Sequence, residues 1–582
     1  MRLVEVRLLE GPNLYRLEPT VKIEVTVGRL RTWYGQRTPG AYAIVRLGRP
    51  VARTTAPPPV RDLAGWVTRL HRLSGTRAGR PAGTPVPVTV HRSGEPGHWI
   101  VAFPWRERER AQEIADGAWR LADAEIGSHA TPHSSRTLER VLRRVTAAAG
   151  PGPAWITDAE RRIPTVSISG TNGKSTTTRM LTHILRRAGR HVGTTTSDGV
   201  LIDERLIEPG DWTGPGGAGQ VLGRSDIEVA VLETARGGIL LKGIGYESND
   251  VAVLTNVSSD HLDLQGIHTL PELAEVKAVI ARITRPDGMV VLNADDPLVA
   301  EQARRVRAPV CLFSLEAASP RVARHVRRGG SAVVLEEGWL VRVAGSTRER
   351  LVAVSEIPAA LFGLARHNVA NALAAAGAAL ALGTSADAVA DGLRDFRSTI
   401  EQAPGRLNLY RLGARVVIVD FAHNEAGVAV LLDVAEAIAG GAAGRRRPVT
   451  IIIGTAGDRP DDTLRGIGRI AASRADRVVI KETLNYLRGR SRESAVGEFR
   501  AGLREGGWTI EAPAYPSETA ALRAVLGNGA GAAAHANEPG VIALMCHEDR
   551  DGVVGLLGEL GARPLADQRE LLELMPRLQA RR

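Results

Sequence analysis

Val166-Ser167-Ile168-Ser169-Gly170-Thr171-Asn172-Gly173-Lys174-Ser175-Thr176-Thr177-Thr178 decides the reading of this chain, because an apolar run turns through two glycines into a lysine and a row of hydroxyls. The pattern predicts a strand that ends in a loop of exposed backbone N–H groups, followed by a helix whose positive N-terminal end faces the same point. Such an arrangement is a phosphate cradle. Gly170 and Gly173 let the backbone approach an anion, Lys174 can reach a terminal phosphate, and Ser175 offers a hydroxyl to Mg²⁺. Thr171, Asn172 and Thr176 complete the set of nucleotide-loop residues. The generic loop has a glycine five residues before its Gly-Lys pair; Ile168 stands there, so this loop is a compact variant.

From residue 163 onward, short apolar runs alternate with helical stretches, at 227–232, 251–256, 289–293 and 310–313. That βα alternation predicts a doubly wound, parallel α/β domain around the cradle. A second α/β unit starts near Leu407, with β-branched runs at 416–419, 449–453, 478–480 and 541–544, and reads as a smaller Rossmann-like domain. The first 150 residues read as α+β, with strands over 21–27 and 86–90 and a helix over 105–126. Pro57-Pro58-Pro59 and residues 75–87 mark loops, Pro151-Gly152-Pro153 begins a linker, and the Ala/Gly-rich stretch 528–536 reads as a flexible loop. The expected division is 1–150, 160–402 and 403–582.

At 582 residues the chain has room for about three domains. No run approaches the roughly 18 uncharged apolar residues of a membrane span. The opening Met-Arg-Leu-Val-Glu does not resemble a signal peptide, so a cytoplasmic location is expected. Cys311 and Cys546 are too few for a disulfide framework and read as small buried hydrophobes. The net charge of +11 is located: residues 1–150 hold 24 Lys/Arg against 13 Asp/Glu, an excess equal to that of the whole chain. Those arginines are scattered singly and lack interleaved aromatic residues, which argues against a nucleic-acid surface. A carboxylate-rich partner fits the charge as well as a plain basic surface does. Only five residues are lysines, Lys22, Lys174, Lys242, Lys277 and Lys481, against 70 arginines. Each lysine is therefore worth inspecting, because arginine does not readily lose its proton or form a carbamate.

Downstream of the cradle, Val231-Leu232-Glu233-Thr234-Ala235-Arg236-Gly237-Gly238 places a carboxylate at a strand tip, where it could ligate Mg²⁺ directly or through water. Leu254-Thr255-Asn256-Val257-Ser258-Ser259-Asp260-His261 places an Asp-His pair after the next strand. Strand tips of one parallel sheet project to the same edge as the loop. Lys277 follows on a helical stretch, where its residue-level reading is a snorkelling surface lysine.

The string Gly170-Thr171-Asn172-Gly173-Lys174 resembles the ATP loop of the Mur ligase superfamily. His367-Asn368-Val369-Ala370-Asn371 resembles that family's adenine-side helix start, and Pro404-Gly405-Arg406 with Asp420-Phe421-Ala422-His423-Asn424 resembles its interdomain segment and following strand. The resemblance implies that Asn371 contacts the base, Arg406 phosphate or ribose, and Asp420 the ribose hydroxyls. It implies two Mg²⁺ ions held with Ser175, Glu233 and His261, and it makes Lys277 a candidate for carbamylation. Residues 193–199, 210–215, 233–240, 291–297, 457–459 and 487–490 narrow the likeness to the Mur-like domain of cyanophycin synthetases, and Leu9-Glu10-Gly11-Pro12-Asn13-Leu14 resembles the opening of their N-terminal domain. That family carries an ATP-grasp domain between the two parts, for which no stretch is left here. Ser175 replaces the usual threonine, Phe421 a tyrosine and Glu425 a proline.

The resemblance implies an ADP-forming acid–amino acid ligase working through an acyl phosphate, with ATP and Mg²⁺ as cofactors and Lys174, Glu233, His261 and Lys277 as catalytic residues. Its partners would be an amino acid or peptide amine and a carboxylate-bearing acceptor, the latter on the basic first domain. Two alternatives stand beside it: a glutamate-adding ligase of specialised metabolism, and a non-catalytic nucleotide- or polymer-binding derivative. Homo-oligomerisation is left open.

Overall fold

A computed structural model of the chain describes residues 1–27, 50–81, 84–127, 135–259, 262, 265–440, 446–527, 538–565, 570–571 and 573. The predicted loop over 528–536 and the predicted ligand His261 lie outside the described residues.

Three sheets organise the described chain. The first is antiparallel, in the order Arg2–Leu9, Thr20–Thr26, His98–Pro104, Thr89–Arg92. Val21, Ile23 and Val25 alternate onto one face and pack with helix Pro58–Ser74, whose Val60, Leu63, Val67 and Leu70 recur at helical spacing. The strand expected over 86–90 starts only at Thr89, beyond Pro87, which has no N–H to give a ladder. The helix expected over 105–126 runs Arg108–Gly127.

The second sheet has eleven strands. Strand Thr165–Ser169 lies at its centre, between Val229–Glu233 on one side and Asn249–Leu254 on the other, all parallel. Val229 and Val231 face one apolar cluster and Ala230 and Leu232 the opposite one, so every residue of that strand is buried. After the central strand the chain visits Val192–Thr195 and Val229–Glu233 on one side, then crosses to Asn249–Leu254 and Thr284–Asn293. The order reverses at the loop strand, which puts a crevice at its carboxyl end.

The third sheet has seven strands, with a parallel core of Ala514–Tyr515, Arg477–Lys481, Val449–Ile453, Gly540–Met545 and Arg415–Asp420. Cys311 and Cys546 are both buried, and burial pushes the Cys311 thiol up to about 11.

The Leu9–Leu14 string ties the first sheet to the second. Glu10 N donates to Lys242 O at 2.7 Å and Ile244 N to Pro12 O at 2.8 Å, and Leu14 is buried in a core cluster of the second sheet. Gly11 lies so close to this strap's partner that a Cβ on it would stand 1.7 Å from the Ile244 carbonyl oxygen. Gly11→Ala should therefore cost about 1–3 kcal/mol at this contact. Limited proteolysis should read it as faster cleavage in the 148–156 connection, with the second and third sheets staying intact.

Candidate active site

Gly170 and Gly173 both take positive φ, and helix Lys174–Arg187 starts directly after the turn. The turn is held from the neighbouring strand end: Thr171 N donates to Asn256 O at 2.8 Å, Asn172 N to Asn256 Oδ1 at 2.9 Å, and Thr255 Oγ1 to Asn172 O at 2.7 Å. Lys174 folds over it, with Nζ 2.8 Å from Thr171 O. Gly173 sits at φ 83°, and a Cβ there would meet Asn371 Oδ1 at 2.3 Å. Gly173→Ala should thus combine left-handed strain with a clash inside the cradle. Calorimetry with Mg-ADP should show at least a tenfold weaker Kd, following from about 1.4 kcal/mol or more of strain.

Glu233 ends its strand beside the cradle and is 3% exposed, with Oε2 lacking a hydrogen-bond partner in the described structure. Burial raises its carboxyl above the usual range, although Lys174, Ser175 and Arg406 pull it down. A buried carboxylate oxygen with no donor, next to a serine hydroxyl, is the hard-oxygen donor set a Mg²⁺ ion takes. Lys277 is a correction to its residue-level reading. It is buried, and its Nζ donates to Gly170 O at 2.6 Å from the end of helix Leu270–Lys277, which a Thr269/Glu272 capping box starts.

Asn371 accepts from Thr177 Oγ1 at 3.3 Å and is itself held by Asn368. Arg406 lies 4.2 Å from the Phe421 ring centroid and 3.4 Å from Ser175 Oγ. Asp420 accepts from the backbone of Leu407 and Ala422, both at 2.8 Å, while burial raises its carboxyl against the pull of Arg406. The residues from Thr171 to Thr176, with Glu233, Lys277, Asn371, Arg406 and Asp420, all line one cleft of about 1210 Å³ between the second and third sheets. Gly170 stands behind it as the acceptor for Lys277.

Sequence reasoning assigned no role to Asp198, Arg179 or Arg550. Asp198 accepts from Arg179 at 3.0 Å and, across the cleft, from Arg550 at 2.9 Å. Burial alone would raise its carboxyl, but Arg406, Arg179 and Arg550 outweigh that and hold it below the usual range. The signal for them in the sequence is Asp198 within the string 193–199.

Residues 168–379 match the Mur ligase middle domain. The chain is 44% identical over 330 residues to a cyanophycin synthetase of Synechocystis sp., an alignment covering 57% of this chain and 37% of that protein. It is 30% identical to a UDP-N-acetylmuramyl-tripeptide synthetase of Deinococcus radiodurans, over 60% of this chain and 67% of the relative. The chain belongs to the Mur ligase family. Within that family the matched cyanophycin synthetases are longer: the chain spans 37% of the length of one and 41% of another. A folylpolyglutamate synthase of Mycobacterium tuberculosis complexed with ADP superposes at a TM-score of 0.49 with 22% identity, covering 70% of this chain and 92% of that one. No helix among the described residues is long and apolar enough to cross a membrane.

Proposed function

We propose that this Mur ligase family member is an ATP-dependent, ADP-forming amide ligase. One observation carries the reading: the lysine-bearing loop, the buried strand-tip carboxylate of Glu233 and the interdomain Arg406 converge in a single cleft whose opposite wall belongs to the third sheet. Carboxylate and amine do not condense in neutral water, so the carboxylate needs a better leaving group. A carboxylate oxygen attacks the γ-phosphorus of ATP, the bond to the β–γ bridging oxygen breaks, and ADP departs with an acyl phosphate left behind. The neutral amine nitrogen then attacks the acyl carbon, loses a proton to solvent, and phosphate leaves with its C–O electron pair.

Thr171 N and Asn172 N are already bonded to Asn256, so Lys174, the N–H groups that open helix Lys174–Arg187 and Arg406 offset the charge that spreads over the transferring phosphoryl oxygens. Ser175 and Glu233, with His261 from the family likeness, would hold Mg²⁺, which when bound supplies further charge neutralisation. Asn371 and Asp420 would seat the base and ribose. Lys277 as a carbamate would keep one N–H for its bond to Gly170 while presenting a carboxylate to a second Mg²⁺. Intact-protein mass spectrometry under bicarbonate should show a gain of one CO₂ that Lys277→Arg abolishes.

The third unit, 403–582, would deliver an amino acid or peptide amine, the middle unit 160–402 would bind ATP, and the basic unit 1–150 would attract a carboxylate-rich acceptor. The test is ADP release from ATP across a library of acidic peptides paired with amino acids, with products read by mass spectrometry. Release that requires both partners supports the ligase; none with any pair, while Mg-ADP still binds, overturns it.

A further inference from the structure

Lys481 ends the strand Arg477–Lys481, and its side chain is wholly excluded from solvent. A lysine ordinarily carries its ammonium out to water, so burial of this kind requires partners. Nζ donates to Glu518 Oε1 at 2.7 Å and to His547 Nδ1 at 2.8 Å. His547 Nε2 lies 2.8 Å from the Ala422 carbonyl oxygen, which can only accept; Nε2 therefore carries the ring proton and Nδ1 keeps a lone pair for the ammonium. Burial, with the positive charge of Lys481 beside it, lowers the His547 pKa well below its ordinary value, in agreement with that neutral ring.

Glu518 gathers a turn. Its Oε1 accepts from the backbone of His547 at 2.6 Å and of Glu548 at 3.1 Å, and its Oε2 from Asp549 at 2.5 Å. Three consecutive N–H groups aimed at one anion form a nest filled by the chain's own carboxylate. Asp549 then caps helix Arg550–Glu559 through Gly552 N, and Arg550 reaches Asp198 in the second unit. Neither Lys481 nor Glu518 lines the cleft, whereas His547, Glu548, Asp549 and Arg550 all do.

We propose that the buried Lys481–Glu518–His547 cluster is a positioning element: it fixes the cleft-lining turn 547–549 and thereby aims Arg550 at Asp198, holding the third unit against the nucleotide loop. The role in ligation rests on the function proposed above; the role in holding the turn does not. Lys481→Met removes the ammonium and keeps the stem, and Glu518→Gln keeps the shape and removes the charge. Arg550→Ala, at a side chain one-third exposed, cuts the last link together with its 3.4 Å bond to Pro404 O and leaves the buried cluster in place.

The test uses the full-length chain without ligand, followed by amide hydrogen exchange and small-angle scattering. Lys481→Met and Glu518→Gln should speed exchange across 547–549 by about tenfold or more, and all three variants should enlarge the radius of gyration. Arg550→Ala should leave exchange at 547–549 unchanged. Unchanged exchange in Glu518→Gln, or faster exchange with the scattering curve of the parent, overturns the proposal. If both cluster variants fail to fold, Arg550→Ala decides alone, and an unaltered radius of gyration sinks it. In the ligation assay the same variants should lower kcat per Mg-ADP-binding site about tenfold with the KM for ATP within about twofold, whereas a general loss of folded protein lowers the number of binding sites and leaves kcat per site unchanged. A parent chain without ligase activity would overturn the proposed function and leave the exchange and scattering results to stand or fall separately.

Discussion

Lys174→Ala is expected to lower amine-dependent ADP release by about 10³-fold, the scale seen when a charge-stabilising group is removed from a phosphoryl-transfer site. The reason is local. Lys174 is the first residue of the helix that follows the loop, and its Nζ already rests on Thr171 O, within the cradle where the terminal phosphates would lie. The fold should be unharmed, because among the described residues the side chain's hydrogen bond goes to a loop carbonyl and it belongs to neither apolar cluster of the central sheet. The measurement is steady-state ADP release with both co-substrates, alongside thermal unfolding. Activity within tenfold of the parent would remove Lys174 from the mechanism.

Glu233→Gln should do two opposite things. Activity should fall about 10²–10³-fold through loss of the charged oxygen proposed to hold Mg²⁺. Stability should rise, because the parent carries a buried carboxylate with one oxygen unpartnered. The sign follows from burial, which holds this carboxyl above its ordinary 4.5. The folded chain then binds the proton more tightly than the unfolded chain, so the favourable contribution is complete below about pH 4.5 and is lost as pH rises through the folded value. The variant should therefore unfold at a higher temperature than the parent at pH 8, with the gap closing toward pH 4.5. Mg²⁺ should raise the Tm of the parent and leave the variant unmoved, since only the parent offers the ion a charged ligand. A variant less stable than the parent at pH 8 would contradict the assignment of Glu233 as a carboxylate held under strain for a cation.

Much of the site was legible because its residues lie in short strings whose geometry is local. Gly170 to Ser175 can be read as a turn between a strand and a helix without knowing what packs around them. Glu233 was visible as a strand tip, and parallel topology sends such tips to one edge. Lys277 was harder, because nothing in a helical stretch says whether a lysine faces water or a neighbouring loop; only the approach of helix Leu270–Lys277 to Gly170 makes it buried. Lys481 had the same ambiguity, and the scarcity of lysine was the single hint. The Asp198–Arg550 pair could not have been found at all, since its members are 352 residues apart and meet only through the packing of two units.

Sequence alone thus determined the glycine-lysine turn between strand and helix, the α/β alternation on both sides of it and the likeness to Mur ligases, because strand period, glycine placement and loop chemistry act over a dozen residues or fewer. Tertiary structure alone decided which charges are buried and which face each other. Leu9–Leu14, a string of little meaning by itself, became the strap between the first and second sheets, and Glu518, an ordinary helix-start glutamate, became the anion that gathers a turn. The physical reason is that burial and ion pairing depend on the distance between groups in space, and desolvation turns a modest surface charge into a strong constraint only after the chain has closed around it.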